Sequence, residues 1–220
     1  MNWYKYLKFS SRNIKLPKEI EKQINDITNI SVKYYFSNQK KKNIAGIIYF
    51  TNPYTKQQDN IPVVLHPLTS GFENTIANFN PQERIINIFP YHHKIQDVNF
   101  SKLFNYIKEN LYHEITHSID PKFLIKDWWR NRKNVDYLLR EEEFDAYSKQ
   151  IEYIVQNNIN KTNIENLKTW LRTNNIESMP DYLQNYKNII QYWQTNKPIY
   201  IKKLKQRIYN SFIGELNNDI

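Results

Sequence analysis

Apolar positions along this chain recur first with a mixed period and then with a sustained helical one. Over residues 17–29, Ile20, Ile24 and Ile27 fall at spacings of four and three, which predicts a short amphipathic helix. Strand-like runs follow at 31–36, 44–51, 61–65 and 84–89. The run at 44–51 is the clearest: it is β-branched and aromatic, and Asn52-Pro53 ends it. Pro90 closes the last run, and the segment 67–81 reads as a loop. Lys40, Lys41 and Lys42 read as a solvated hairpin turn. Together these runs predict a small, mostly antiparallel sheet of about four strands.

The helical period then takes over. From 101 to 119 the stripe Phe104, Ile107, Leu111, Ile115 and Ile119 runs along one face. Ser101 suits an N-cap, and Asp120-Pro121 is a stop, because a residue before proline avoids the α region. A connection at 122–134 carries Trp128 and Trp129, read as core or cleft wall. A second long helix is predicted at 135–155, with Leu139, Glu143, Ala146, Tyr147, Ile151 and Ile154 on one side. Glu142 falls instead with Leu138, Asp145 and Lys149. Further helices are predicted at 162–173, 180–194 and 198–216, the last with a basic cluster at 202–207 that reads as an exposed face. A sheet followed by helices predicts an α+β fold. The expectation is one domain, 1–220, with the sheet and first long helix in 1–119, a helical part in 120–220, and a cleft between them.

Composition narrows the chemistry. The 220 residues include no cysteine, which excludes disulfides and thiolate metal sites. Three glycines, Gly46, Gly71 and Gly214, cannot build a phosphate-binding loop or a dinucleotide fingerprint. The formal charge of +9 permits nucleic acid as a partner. The abundance of Asn, Lys, Ile and Tyr suggests an AT-rich genome, of a low-GC bacterium or its phage. No secretory leader or membrane-spanning run is visible, so the expected location is cytoplasmic, or host cytoplasm or virion for a phage protein, with no membrane partner.

The stretch His113-Glu114-Ile115-Thr116-His117 lies within the first long helix. Residues four apart share a helix face, so both imidazoles project to one side, opposite the apolar stripe and alongside Tyr106 and Asn110. Two imidazoles at that spacing can hold zinc, and the adjacent carboxylate can handle the proton of a bound water. The pattern resembles that of the zincin metallopeptidases.

Glu143 lies 26 positions past His117, on the mostly apolar side of the next helix, where an uncompensated charge is costly. Glu143-Phe144-Asp145-Ala146 resembles the gluzincin pattern of a downstream glutamate ligand followed by a small residue one turn later. The metzincin pattern is absent, since Asp120 and Phe123 stand where it requires other residues. The resemblance covers the two helices, roughly a fifth to a quarter of the chain. It implies a zincin-like fold, Zn2+ held by His113, His117 and Glu143, and Glu114 as general base. Glu142 stays open as the alternative third ligand. Tyr147, Tyr112, Arg140 and His92 are candidates for stabilising the oxyanion, and Asp145 or Asp120 for orienting a ligand histidine. His93, beside His92, reads as a loop residue. The resemblance also implies a sheet strand that pairs with an extended substrate, with 85–89 or 61–65 as the candidates. The function expected is a zinc-dependent peptidase acting on a protein or peptide. The alternatives are a zinc hydrolase of cell-wall peptide and a non-catalytic, basic nucleic-acid-binding or virion-associated protein.

Overall fold

The computed structural model describes residues 16, 18–38, 40–53, 55–67, 76–90, 99–120, 136–159, 164–173 and 175–217. His92, His93, Trp128 and Trp129 lie outside the described residues. The fold is α+β, with six α-helices and a four-stranded mixed sheet among the described residues. The chain divides into two compact units, residues 1–132 and 133–220.

In the first unit, helix α1 spans Lys18–Phe36. It absorbs the run at 31–36 that was expected to be a strand. Ile20, Ile24, Ile27, Thr28, Ser31 and Val32 are all buried, so the helical stripe simply continues. The hydroxyls of Thr28 and Ser31 donate back to the carbonyls of Ile24 and Ile27, at 2.7 and 2.8 Å, which lets both be buried. Packing of the stripe outweighs the β propensity of Val-Lys-Tyr-Tyr-Phe.

The sheet comprises β1 (Asn43–Thr51), β2 (Gln58–Leu65), β3 (Ala77–Asn80) and β4 (Ile85–Ile88), in the order β1-β2-β4-β3. The β1–β2 and β3–β4 ladders are antiparallel and β2–β4 is parallel. Strand β3 falls inside the segment expected to be a loop; its Ala-Asn-Phe-Asn sequence has no β-branched residue to signal it. Its position corrects the reading of the substrate edge. Strands β2 and β4 are interior, and the edges are β1 and β3.

Helix α1 and the next helix, α2 (Phe100–Ile119), pack on the sheet. Ile48, Ile61, Val63, Leu65, Ile86 and Ile88 are buried with Leu103, Ile107, Leu111 and Ile115 of α2. A bulge displaces the β1 register between Ile44 and Gly46. A Cβ at Gly46 would meet Ile27 Cγ1 at 3.0 Å, so glycine lets α1 approach the strand. The outward backbone of β1 is covered by Gln23 of α1. Its amide accepts from the Tyr49 N–H at 2.7 Å and donates to the Tyr49 carbonyl at 2.9 Å, as a neighbouring strand would.

In the second unit, a short 3₁₀ turn (Tyr137–Leu139) precedes α3 (Glu141–Asn158). The helix expected from 135 thus begins at Glu141, because Arg140 is extended and serves as its N-cap. Helices α4 (Ile164–Arg172), α5 (Lys187–Asn196) and α6 (Pro198–Asn217) follow, with 3₁₀ turns at Ile176–Ser178 and Asp181–Tyr186. The predicted helix at 180–194 is therefore a 3₁₀ turn leading into α5. The core centres on Phe144, Trp170, Trp193 and Tyr200. Phe144 stacks on Tyr200 with ring centroids 4.1 Å apart and meets Trp193 edge-on at 5.2 Å. Trp193 Nε1 donates to the Leu138 carbonyl at 2.7 Å, so the buried indole keeps its hydrogen bond. Among the described residues, no helix is long and apolar enough to cross a membrane.

Candidate metal centre

The site is built on the second half of α2. The N-cap is Asn99, not Ser101: the Asn99 side chain accepts from the Lys102 N–H at 2.9 Å. The C-cap is Asp120, in extended conformation, as the following proline dictates. The Ile119 carbonyl at this end accepts from Asn52 Nδ2 at 3.5 Å. Asn52 is itself 1% exposed and organises the β1–β2 turn, where its side chain accepts from the Thr55 N–H at 3.1 Å.

Every residue from Leu111 to Ile119 is buried. The helix therefore buries its polar side as well as its apolar stripe. Polar residues at such depth need partners. Thr116 Oγ1 donates to the Tyr112 carbonyl, and Ser118 Oγ to the Ile115 carbonyl, each at 2.8 Å. Tyr112 donates to Glu21 on α1 at 3.4 Å. Tyr106, one of the residues that share the histidine side, has its hydroxyl pKa raised by burial and, secondarily, by Glu109.

His113 and His117 are about 95% buried, and their Nε2 atoms lie 3.1 Å apart. The ring centroids are 4.7 Å apart and the ring planes 81° from one another. Zinc–imidazole bonds are about 2.0–2.1 Å long, so one ion touching both nitrogens would subtend about 100°, close to tetrahedral. The donor set therefore fits zinc in both type and spacing. Between the two histidines, Glu114 turns toward the sheet. Its Oε2 accepts from the Phe79 N–H on the edge strand β3 at 2.7 Å.

Glu143 is the third residue of α3 and is 7% exposed. Its neighbour Glu142 is 2% exposed. The expectation that only Glu143 would stand on the buried side is therefore corrected, since the first turn of α3 buries Glu142, Glu143 and Phe144 together.

The other expected residues have varied surroundings. Asp145 Oδ1 accepts from Arg207 Nη2 at 2.5 Å. Tyr147 is half-buried and meets Trp193 edge-on, with centroids 6.2 Å apart. Arg140 caps α3 and lies over the Tyr137 ring, 5.7 Å from its centre. Asp120 closes α2. Sequence reasoning missed Phe79 and Asn52. A backbone donor leaves no trace in residue type, and Asn52-Pro53 reads only as a strand end. Comparison with protein-family models, curated proteins and solved structures finds no match to this chain.

Proposed function

We propose that this chain is a zinc-dependent peptidase of zincin-like fold, in which His113, His117 and Glu143 hold the ion. The observation that carries the reading is the pair of imidazole Nε2 atoms 3.1 Å apart on consecutive turns of α2. Glu143, which matches the downstream glutamate of the gluzincin pattern, would be the third protein ligand, and three protein ligands leave the fourth position that hydrolytic zinc sites keep open. When bound, zinc supplies a Lewis acid that polarises a carbonyl and lowers the pKa of water to about 7. Glu114 takes the proton of the attacking water and passes it to the leaving amine.

The edge strand supports a peptide as substrate. An extended chain adding to β3 would pair with its outward backbone, including the Phe79 N–H. That donor is held by Glu114 here. A substrate carbonyl taking it over would release Glu114 Oε2 for proton transfer, so substrate docking and activation of the base are coupled.

The test is the zinc content of dialysed protein, measured beside His113→Ala and Glu114→Gln, together with casein hydrolysis by each. About one zinc per chain is expected in the native protein and in Glu114→Gln, and none in His113→Ala. Hydrolysis is expected in the native protein alone. A chain that takes up no zinc on reconstitution overturns the reading, as does an active Glu114→Gln.

A further inference from the structure

The second unit contains a groove of ≈ 710 Å³ walled by α4, α5 and α6. Among the described residues four cations line it, Lys168 and Arg172 from α4 and Lys202 and Lys205 from α6, and no carboxylate does. This is a local segregation of charge, because residues 133–220 as a whole contain 12 Lys and Arg against 11 Asp and Glu. The basic cluster at 202–207, expected to be a solvated helix face, is in part buried: Lys205 and Arg207 are each 9% exposed.

The four cations are not equivalent. Lys205 Nζ donates to the Trp170 carbonyl at 2.7 Å and to the Thr173 carbonyl, at the end of α4, and lies 5.1 Å from the Trp170 ring centre. It is a fixed charge in the wall. Lys168 shares its charge with Glu165 at 2.9 Å. Arg172 and Lys202 are exposed and have no carboxylate partner among the described residues. Beside them the lining becomes apolar, with Pro198, Ile201 and the 39%-exposed Tyr209.

We propose that this groove binds a nucleotide unit, with phosphate on Arg172 and Lys202 and the base against Tyr209 and Ile201. Unpaired cations beside an exposed aromatic ring match a ligand that has an anionic end and a flat, sequence-independent face. The volume suits a small ligand, and concave walls do not suit a flat anionic bilayer. The site lies within one unit and does not depend on the metal reading. Its ligand comes from one of two sources, a free nucleotide or a single strand of nucleic acid.

The experiment uses the full chain with a fluorescein-labelled single-stranded oligonucleotide followed by anisotropy, and ATP and pyrophosphate followed by calorimetry. Arg172→Glu/Lys202→Glu is compared with Lys40→Glu/Lys41→Glu, which changes the net charge equally at an exposed turn. The groove variant should weaken binding at least about tenfold and the control less than about threefold, since most of the affinity is local phosphate contact. Tyr209→Ala should weaken ATP and oligonucleotide but leave pyrophosphate unchanged. Saturable ATP binding identifies the free nucleotide as the source; oligonucleotide binding without ATP binding identifies the strand. Equal weakening in both charge-reversed variants, displacement by polyglutamate as effective as by oligonucleotide, or no binding of any probe overturns the proposal.

Discussion

The carboxylate of Glu114 accepts a 2.7 Å hydrogen bond from the backbone N–H of Phe79, joining the second half of α2 to the edge strand β3. The distance is that of a bond to a charged acceptor. It sets where the carboxylate sits, and it occupies a donor that an edge strand would otherwise present to solvent. The amide of Phe79 should therefore be protected from hydrogen exchange, and Glu114→Ala should speed its exchange roughly fivefold or more, in proportion to the bond's net strength. An unchanged rate in Glu114→Ala, read by NMR, would show that the bond contributes nothing in solution. The measurement needs neither metal nor substrate.

The two buried glutamates of α3 test which carboxylate completes the proposed ligand set. On the proposed ligand set, Glu143→Ala should lose stoichiometric zinc while Glu142→Ala retains it. Metal analysis after dialysis reads the difference. Equal retention in the two variants would remove Glu143 from the ligand set, and loss in Glu142→Ala alone would reassign it.

Gln23 acts on the opposite edge of the sheet. Its amide makes both bonds to the Tyr49 backbone, so Gln23→Leu leaves two strand groups without a protein partner. These groups are exposed and water replaces the amide, so the expected cost is only about 1 kcal/mol in denaturant unfolding. The larger effect should be self-association, since β1 would then present an open edge with Ile47 and Tyr49 exposed beside it. Light scattering of Gln23→Leu against the native chain measures it.

Tyr182 supplies a test at alkaline pH. Burial raises its hydroxyl pKa to about 12. The unfolded chain releases this proton near pH 10. Between these values the folded state holds the proton and the unfolded state does not, so stability falls as pH rises through the window. The Tyr182 hydroxyl also has no hydrogen-bond partner among the described residues. Tyr182→Phe should therefore match or exceed native stability at neutral pH, and its stability should fall less steeply from pH 10 to 12. A destabilised Tyr182→Phe, or one with the native slope, would contradict this account of the hydroxyl.

Much of the candidate site is legible in local spacing. His117 stands four positions past His113, and a helix converts that spacing into a shared face whatever else surrounds it. The stripe from Phe104 to Ile119 and the proline after Asp120 signal the helix. The α+β class and the C-terminal helices follow from the same kind of periodicity, carried by Leu167, Ile190, Trp193, Leu204 and Ile208, all of which are buried. Each of these features depends on residues only a few positions apart.

Other features depend on distant partners. Residues 31–36 have strand-forming side chains, yet their stripe continues a helix, and packing against β1 and α2 decided the outcome. Strand β3 consists of Ala-Asn-Phe-Asn and exists because β4 offers it a ladder. The edge positions of β1 and β3, the burial of both Glu142 and Glu143, and the bond from Phe79 to Glu114 arise in the same way. The sequence determined which ligand types are present and which of them share a helix face, because covalent spacing and helical period are local. The tertiary structure decided which strand meets Glu114, because pairing order and burial depend on contacts between residues far apart in the chain.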